Sequence, residues 1–373
     1  MDAHIQHRQQ EAMQLGGLDA LVAFSRENVA YSAGYVVPSQ QLNIRNRQFA
    51  VVVCADGGAS MLLSANELTE ARERALIKDL RTYDEFSDDP MEALCGLFED
   101  LGVVNGRIGL ELDALTAERW DRLRALLPKA EIVSGSAALM DARRVKSSRE
   151  LELLRKSTFL AHRAQAEAHK RMVEGTSEQT IARWIIDSAL EGGAEGVLMV
   201  QVAAGTRSTF SNPTPTPRQV AFGEVVKIDV FLTCGGYLSD TGHSVWVGEA
   251  NPRTRDTWAK LAETMEIVED AIRPGVTTRE LWNKFLQAFH ARGLTMPGRF
   301  LGHGLGLSLH EEPFIAAHTD IVLEPGMVLA IEPVHIQDES LFWLEDNLLV
   351  TETGYESLTT ALPHGMIITP TGD

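Results

Sequence analysis

A chain of 373 residues that is 44% apolar can bury a large core and is long for a single one, so disorder is excluded and two domains are expected. A net charge of −18 excludes nucleic acid or an anionic membrane as the main partner, because neither is drawn to an acidic surface. The three cysteines, Cys54, Cys95 and Cys234, show no C-x-x-C spacing, which argues against a disulfide framework or a thiolate metal site and fits a reducing cytoplasm.

In chain order, residues 1–17 are polar and carry no apolar stretch of the kind a secretory signal needs. No run of about 18 apolar residues suits a membrane span. Residues 3–15 predict a helix ended by Gly16-Gly17. Strands are expected at 18–24, 49–55, 59–65 and 107–112, with helical patterns at 66–78, 90–101 and 114–127 between them. Such alternation predicts an α/β domain with a mixed sheet over residues 1–142. The charged stretch DARRVKSSRE (141–150) reads as a solvated linker into a second domain, 143–373, which opens on a long helix at 149–173.

The second half repeats itself. Residues 173–194 lie over 273–294, each with a Gly, a Ser/Thr N-cap candidate, an amphipathic helix and a closing Gly. GEVVKID (223–229) then lies over GMVLAIE (326–332), with Asp229 opposite Glu332. Two matches in the same order predict a duplicated α+β domain whose halves meet at a central cleft.

Asp229 closes an apolar strand, and Asp240 follows after a Gly235-Gly236 turn; Glu332 and Glu345 repeat the arrangement. Carboxylates inside apolar strands are costly unless a cation pairs them. GHGLGLSLHEEP (302–313) adds His303 and His310, with glycines that let the backbone pass close to a ligand. The two histidines are an odd number of residues apart, so on an extended chain they face opposite ways. His303 is therefore expected at a metal and His310 on the substrate side. Asp229, Asp240, His303, Glu332 and Glu345 form an oxygen-rich set with one imidazole, which suits two divalent ions, and manganese, cobalt, iron and zinc all accept such ligands. Two bridged metals can hold a hydroxide as a hydrolytic nucleophile.

GHGLGLSLHEEP, KIDVFLTCGGYLSD, AIEP and WLEDN resemble the metal-binding motifs of the pita-bread metallopeptidases (family M24), and ENVAYSAGY (27–35) resembles the N-terminal domain of their prolidase, aminopeptidase P and creatinase branch. The resemblance implies an α/β N-terminal domain and an α+β pita-bread domain with a pseudo-twofold duplication. It implies a dinuclear hydrolase of a C–N bond in a small peptide or small amide, with Asp240 and Glu345 bridging the metals. Glu332 would act as proton shuttle and His310 would steady the scissile carbonyl oxygen. A homodimer is implied as well, with 36–48 as a border loop. The chain departs from the branch where substrate is recognised. Asn212 stands where a loop histidine is usual, His243 and Ser244 follow Asp240 where Arg-Thr is usual, His335 follows AIEP, and Trp343 replaces an arginine before Glu345. Asn212, His243, His335 and Trp343 are therefore the candidate substrate contacts. Trp343 offers an apolar or cation–π wall in place of a carboxylate-binding guanidinium. These departures keep open hydrolysis or lyase chemistry on a small non-peptide metabolite, as in ectoine hydrolases, and also a non-catalytic binding protein on the same scaffold.

Overall fold

A computed structural model describes residues 2–42, 44–358 and 364–370; Asn43, in the expected border loop, lies outside them. The chain divides into two units, Met1–Arg143 and Arg144–Asp373.

In the first unit the order is α1 (Ala3–Gly16), β1 (Ala20–Ala23), α2 (Arg26–Ala33), β2 (Ala50–Cys54), β3 (Ala59–Ser64), α3 (Leu68–Arg74), β4 (Asp79–Tyr83), α4 (Pro90–Asp100), β5 (Arg107–Leu110), α5 (Ala117–Leu126), β6 (Glu131–Ser134) and α6 (Ser136–Arg144). The six strands form one mixed sheet in the order β4-β3-β2-β1-β5-β6. A core packs each face, one around Val22, Val52 and Phe98, the other around Leu21, Val51 and Met61. Alternate residues of one strand thus feed opposite cores. The expected strands are present. β4, β6 and α2 were not legible: the first two are half-exposed edge strands with weak alternation, and α2 is buried nearly all round and shows no stripe.

The reading of 141–150 as a solvated linker is corrected. Arg143, Lys146, Ser147 and Glu150 are all buried. Each has a partner: Arg143 donates to Asn28 Oδ1, Lys146 donates to Glu311 at 2.7 Å, and Ser147 and Glu150 close a capping box. Charge runs of this kind are buried only because their partners replace water.

The second unit contains α7 (Ser148–Arg171), α8 (Glu178–Glu191), β7 (Gly196–Ala204), β8 (Val225–Cys234), β9 (Tyr237–Leu238), β10 (Thr241–Val247), α9 (Pro252–Glu269), α10 (Thr278–Ala291), β11 (Phe300–Gly304), β12 (Glu311–Ala316), β13 (Val328–Ile331), β14 (Val334–Gln337), β15 (Ser340–Trp343), β16 (Asp346–Val350), β17 (Tyr355–Ser357) and β18 (Ile367–Thr369). The duplication is visible atom by atom. Ser177 caps α8 and Thr277 caps α10. Gly175 N donates to Val220 O as Gly275 N donates to Leu323 O. Gly223, at φ 79°, donates to Val247 O; Gly326, at φ 91°, donates to Val350 O. Both glycines occupy the left-handed region, which any side chain would strain.

Each half supplies an antiparallel layer, β7-β8-β10 and β11-β13-β16, backed by two helices. Val226, Ile228 and Val230 of β8 pack on the α7–α8 side, and Leu329, Ile331, Leu348 and Val350 pack on the α9–α10 side. Period-two alternation then turns Lys227, Asp229, Glu332 and Glu345 to the opposite faces. Among the described residues no helix is long and apolar enough to cross a membrane. All three cysteines are buried and unpaired.

Candidate metal centre

Asp229 lies opposite Gly242 in the β8–β10 ladder, so Asp240 sits diagonally across on the same face. In the second half Ile331 pairs with Asp346, which places Glu332 and Glu345 at the next rung. The residues between β13 and β16 form their own ribbon, β14–β15, so these two strands are not joined by the simple hairpin that the spacing suggested. His303 pairs with Ala330 on β13 and shares its face. Asn347 stitches the halves together: its Oδ1 accepts from Asp240 N and its Nδ2 donates to Asp240 O. His243 and Leu344 form a further bridge between the halves.

Ligand atoms of Asp229, Asp240 and Glu345 lie within 4.8 Å of one another, as do those of Asp240, His303 and His310. His303 Nε2 is 3.4 Å from both Asp240 Oδ2 and Glu332 Oε1, ion-pair distances too long for good hydrogen bonds. In its neutral form with the proton on Nδ1, the form a metal ligand requires, His303 would donate to Gly304 O and present the Nε2 lone pair on the carboxylate side. Asp229 Oδ1, both Glu345 carboxylate oxygens and His303 Nε2 are buried without a hydrogen-bond partner among the described residues. Orphaned oxygens at this depth are expensive, and a bound divalent cation is the group that satisfies them all at once. The donor set therefore fits bound metal.

The titration shifts say the same. Burial, then the charge of Asp240, raises Asp229 well above the usual carboxylate range. Burial, then Asp240, Glu332 and Asp229, does the same to Glu345. Burial raises Glu332 as well, with His303 opposing. For His303, burial disfavours the charged ring, but Asp240 and Glu332 outweigh it and lift the group to about 10. Such mutual repulsion is what a fixed positive charge relieves.

His310 requires a correction. Its ring stacks 4.0 Å from that of His303, so the two are on one side and not on opposite faces. The chain leaves β11 at Gly304 and bends before His310, and alternation holds only on an extended strand. His310 is exposed as a residue, but its ring is partly buried against that of His303; that burial, then the His303 charge, lowers its pKa, so it is neutral near pH 7.

The four substrate candidates separate. Trp343 is buried, and a Cβ on Gly242 would come 2.2 Å from its Cη2, so the indole lies against the β10 face that carries Asp240. The expected free cation–π wall is corrected: Lys227 Nζ already sits 4.7 Å from the ring centroid. Asn212 is exposed and accepts from Gln201 Nε2, while Gln201 pairs with Asp229 in the β7–β8 ladder. His243 faces away from the carboxylates. It points to the helix side, where its Nε2 meets His169 Nε2 at 3.2 Å beside α7. His335 is also displaced from the site: it shares the face of its ladder partner Phe342, packs on Phe289 and Phe342, and is held by Thr295. Strand parity, invisible without the register, decides both cases.

Sequence reading missed Lys227, Gln201 and Glu178. Lys227 was legible as a lysine inside an apolar strand two residues before Asp229, hence on its face. Glu178, fully buried, accepts from Ala204 N, Thr216 N, Thr216 Oγ1 and Arg207 Nε, and so pins the 205–218 loop. A third acidic group, Glu269, Asp346 and His364, lies on the helix side. His364 Nε2 is 3.1 Å from Glu269 Oε1, and Ser357 Oγ donates to Asp346.

The family described as "Metallopeptidase family M24" matches residues 152–352, and "Creatinase/Prolidase N-terminal domain" matches residues 6–145. The chain is 28% identical over 352 residues to the "Probable dipeptidase PepE" of Mycobacterium bovis, covering 91% of this chain and 90% of that protein. It is 30% identical over 227 residues to the "Xaa-Pro dipeptidase" of Pyrococcus furiosus, covering 59% and 64% respectively. The crystal structure of dipeptidase PepE from Mycobacterium ulcerans superposes with a TM-score of 0.85 at 25% identity, covering 99% of this chain and 98% of that one.

Proposed function

Because the chain belongs to metallopeptidase family M24, and is thus a hydrolase with a pita-bread fold, we propose that it cleaves the peptide bond of small Xaa-Pro-type peptides with two divalent metal ions. The single observation that carries this reading is the convergence of Asp229, Asp240, His303, Glu332 and Glu345, with four of their polar atoms buried and without a partner among the described residues. These five residues would hold the metals, with Asp240 and Glu345 central because each adjoins ligands from both halves. When bound, such a metal pair supplies Lewis acidity and an activated water. Glu332, partly exposed and raised in pKa by burial, can accept a proton and return it to the leaving amine. His310, neutral and exposed beside His303, donates to the carbonyl oxygen as charge develops on it. The names of relatives that act on dipeptides and Xaa-Pro bonds support the substrate class.

The test is a hydrolysis screen of Xaa-Pro dipeptides and longer Xaa-Pro peptides with added Mn, Co or Zn and a chelator control. Metal-dependent proline release is expected. A purified chain that binds no divalent metal and releases no product in any arm would refute the reading. His310→Ala should keep the metals and lose turnover; loss of metal would make His310 a ligand instead.

A further inference from the structure

The two halves of the duplication differ at corresponding positions beside the carboxylates. Laying GEVVKID over GMVLAIE puts Lys227 over Ala330, two residues before Asp229 and Glu332. In the second half Ala330 lies opposite His303, whose imidazole joins the ligand set. In the first half Lys227 lies opposite Ala203. One half thus sets an imidazole of the flanking strand beside a methyl group. The other sets a methyl group of the flanking strand beside an ammonium. A nitrogen lone pair holds a bound cation, whereas a fixed positive charge repels it.

The ammonium is held in place. Lys227 is buried and shares one face of β8 with Asp229. Its Nζ donates to Phe210 O at 3.3 Å and Ser211 O at 2.6 Å, and it rests over the Trp343 indole at 4.7 Å. The loop that supplies those carbonyls is pinned by Glu178 through Thr216. These acceptors are neutral, so the Lys227 charge is left to act on the cluster: on Asp229 most, then on Glu332, Glu345 and Asp240. There it opposes the burial and mutual repulsion that raise Asp229 and Glu332. The ammonium therefore relieves part of the repulsion before a metal arrives, and repels the metal once it does. Both effects weaken metal binding, most for an ion beside Asp229.

We propose that Lys227 is a built-in counter-ion of the carboxylate cluster, which lowers affinity for the divalent ion on the Asp229 side and makes filling of that position depend on the free metal concentration. This role rests on the two-metal reading above. Two residues along a strand span about 7 Å. Over that distance one ammonium weakens the binding of a divalent ion by about tenfold in water-like surroundings, and by more where water is excluded.

The experiment titrates chelator-stripped wild type, Lys227→Met, Lys227→Gln and Lys227→Arg with MnCl2 by calorimetry, and follows the thermal denaturation of each with and without Mn. Both neutral variants should tighten the weaker binding step by about tenfold or more, whereas Lys227→Arg, which keeps the charge, should stay near wild type. A single step in wild type that becomes two in the neutral variants supports the proposal equally. Stripped of metal, the neutral variants should melt below wild type, and saturating Mn should close the gap because the ion replaces the lost charge. A lysine that only holds the 205–218 loop gives neutral variants that bind Mn no better than wild type and stay less stable at saturation, and that result overturns the proposal. Neutral variants that fold only with Mn support it; variants that fold in neither condition overturn it. If wild type binds no Mn, the two-metal reading falls together with the Lys227 role. If it binds two ions and the neutral variants are unchanged, the Lys227 role alone falls.

Discussion

Gly242→Ala is the most direct probe of the surface that faces the carboxylates. The new Cβ would stand 2.2, 2.5 and 2.6 Å from three atoms of the Trp343 six-membered ring. Carbon atoms settle at about 3.5–4.0 Å, so the indole must retreat by more than about 1 Å. It has little room to do so, being buried, hydrogen-bonded through its backbone to Ser244, and covered by Lys227. Gly242 has no positive φ, so the cost is overpacking alone. Overpacking of a close-packed site costs about 1–3 kcal/mol, and each kcal/mol is worth roughly 2–4 °C in a unit of this size. Thermal denaturation of Gly242→Ala should therefore show a midpoint lowered by roughly 2–12 °C, with a blue- or red-shifted Trp343 emission. Trp343→Leu in the same chain removes the clashing ring atoms, so the two substitutions should couple by about 1 kcal/mol or more in a double-mutant cycle. A Gly242→Ala protein that melts like wild type, or a penalty that persists unchanged beside Trp343→Leu, would refute the placement of the indole.

Asp240→Asn removes a carboxylate that faces both His303 and Glu345, and plasma emission spectroscopy should find divalent metal lost while circular dichroism stays native; full metal retention would remove Asp240 from the ligand set. Lys146→Met removes the buried ammonium that donates to Glu311 and should cost about 3–5 kcal/mol in urea unfolding, most of it recovered by adding Glu311→Leu; no recovery would show that the pair does not act as one. The Glu269 carboxylate raises His364 above its ordinary value despite burial. A raised folded-state value contributes stability below the unfolded pKa near 6.5, which is lost as pH climbs through the folded value. His364→Asn should thus lower the midpoint by about 2–4 °C at pH 6 and little at pH 9, and a pH-independent loss would rule out the charge contribution. His162 and His169 behave oppositely: burial depresses them to about 4 and about 3, so each favours the fold above pH 6.5 and opposes it increasingly as pH falls toward those values. Acid unfolding of His169→Gln should shift to lower pH, whereas an unchanged profile would show that His169 is not a neutral buried ring.

Local sequence carried the long elements because periodicity and caps are local. α8 and α10 announce themselves through the caps Ser177 and Thr277, and α7 through its long helical pattern. The repeat that aligns Asp229 with Glu332 needed only two stretches of text, and the glycines Gly223 and Gly326 at its head do the same work in both halves. β4 and β6 escaped because edge strands exposed on one side blur the alternation. Residues 141–150 misled because a charge run looks alike whether solvated or paired, and Glu311, the partner of Lys146, is remote in the chain.

By itself, then, the sequence determined which carboxylates and which imidazole could meet, since acids embedded in apolar strands must find a cation somewhere. What only the tertiary structure decided is the lining around them. Strand register sent His243 to the helix side and His335 to the core. A bend after Gly304 stacked His310 on His303. Gly242 made room for an indole that Lys227 then covered. Each of those outcomes depends on which residue lies across a ladder or beyond a turn, and that is information that no single segment contains.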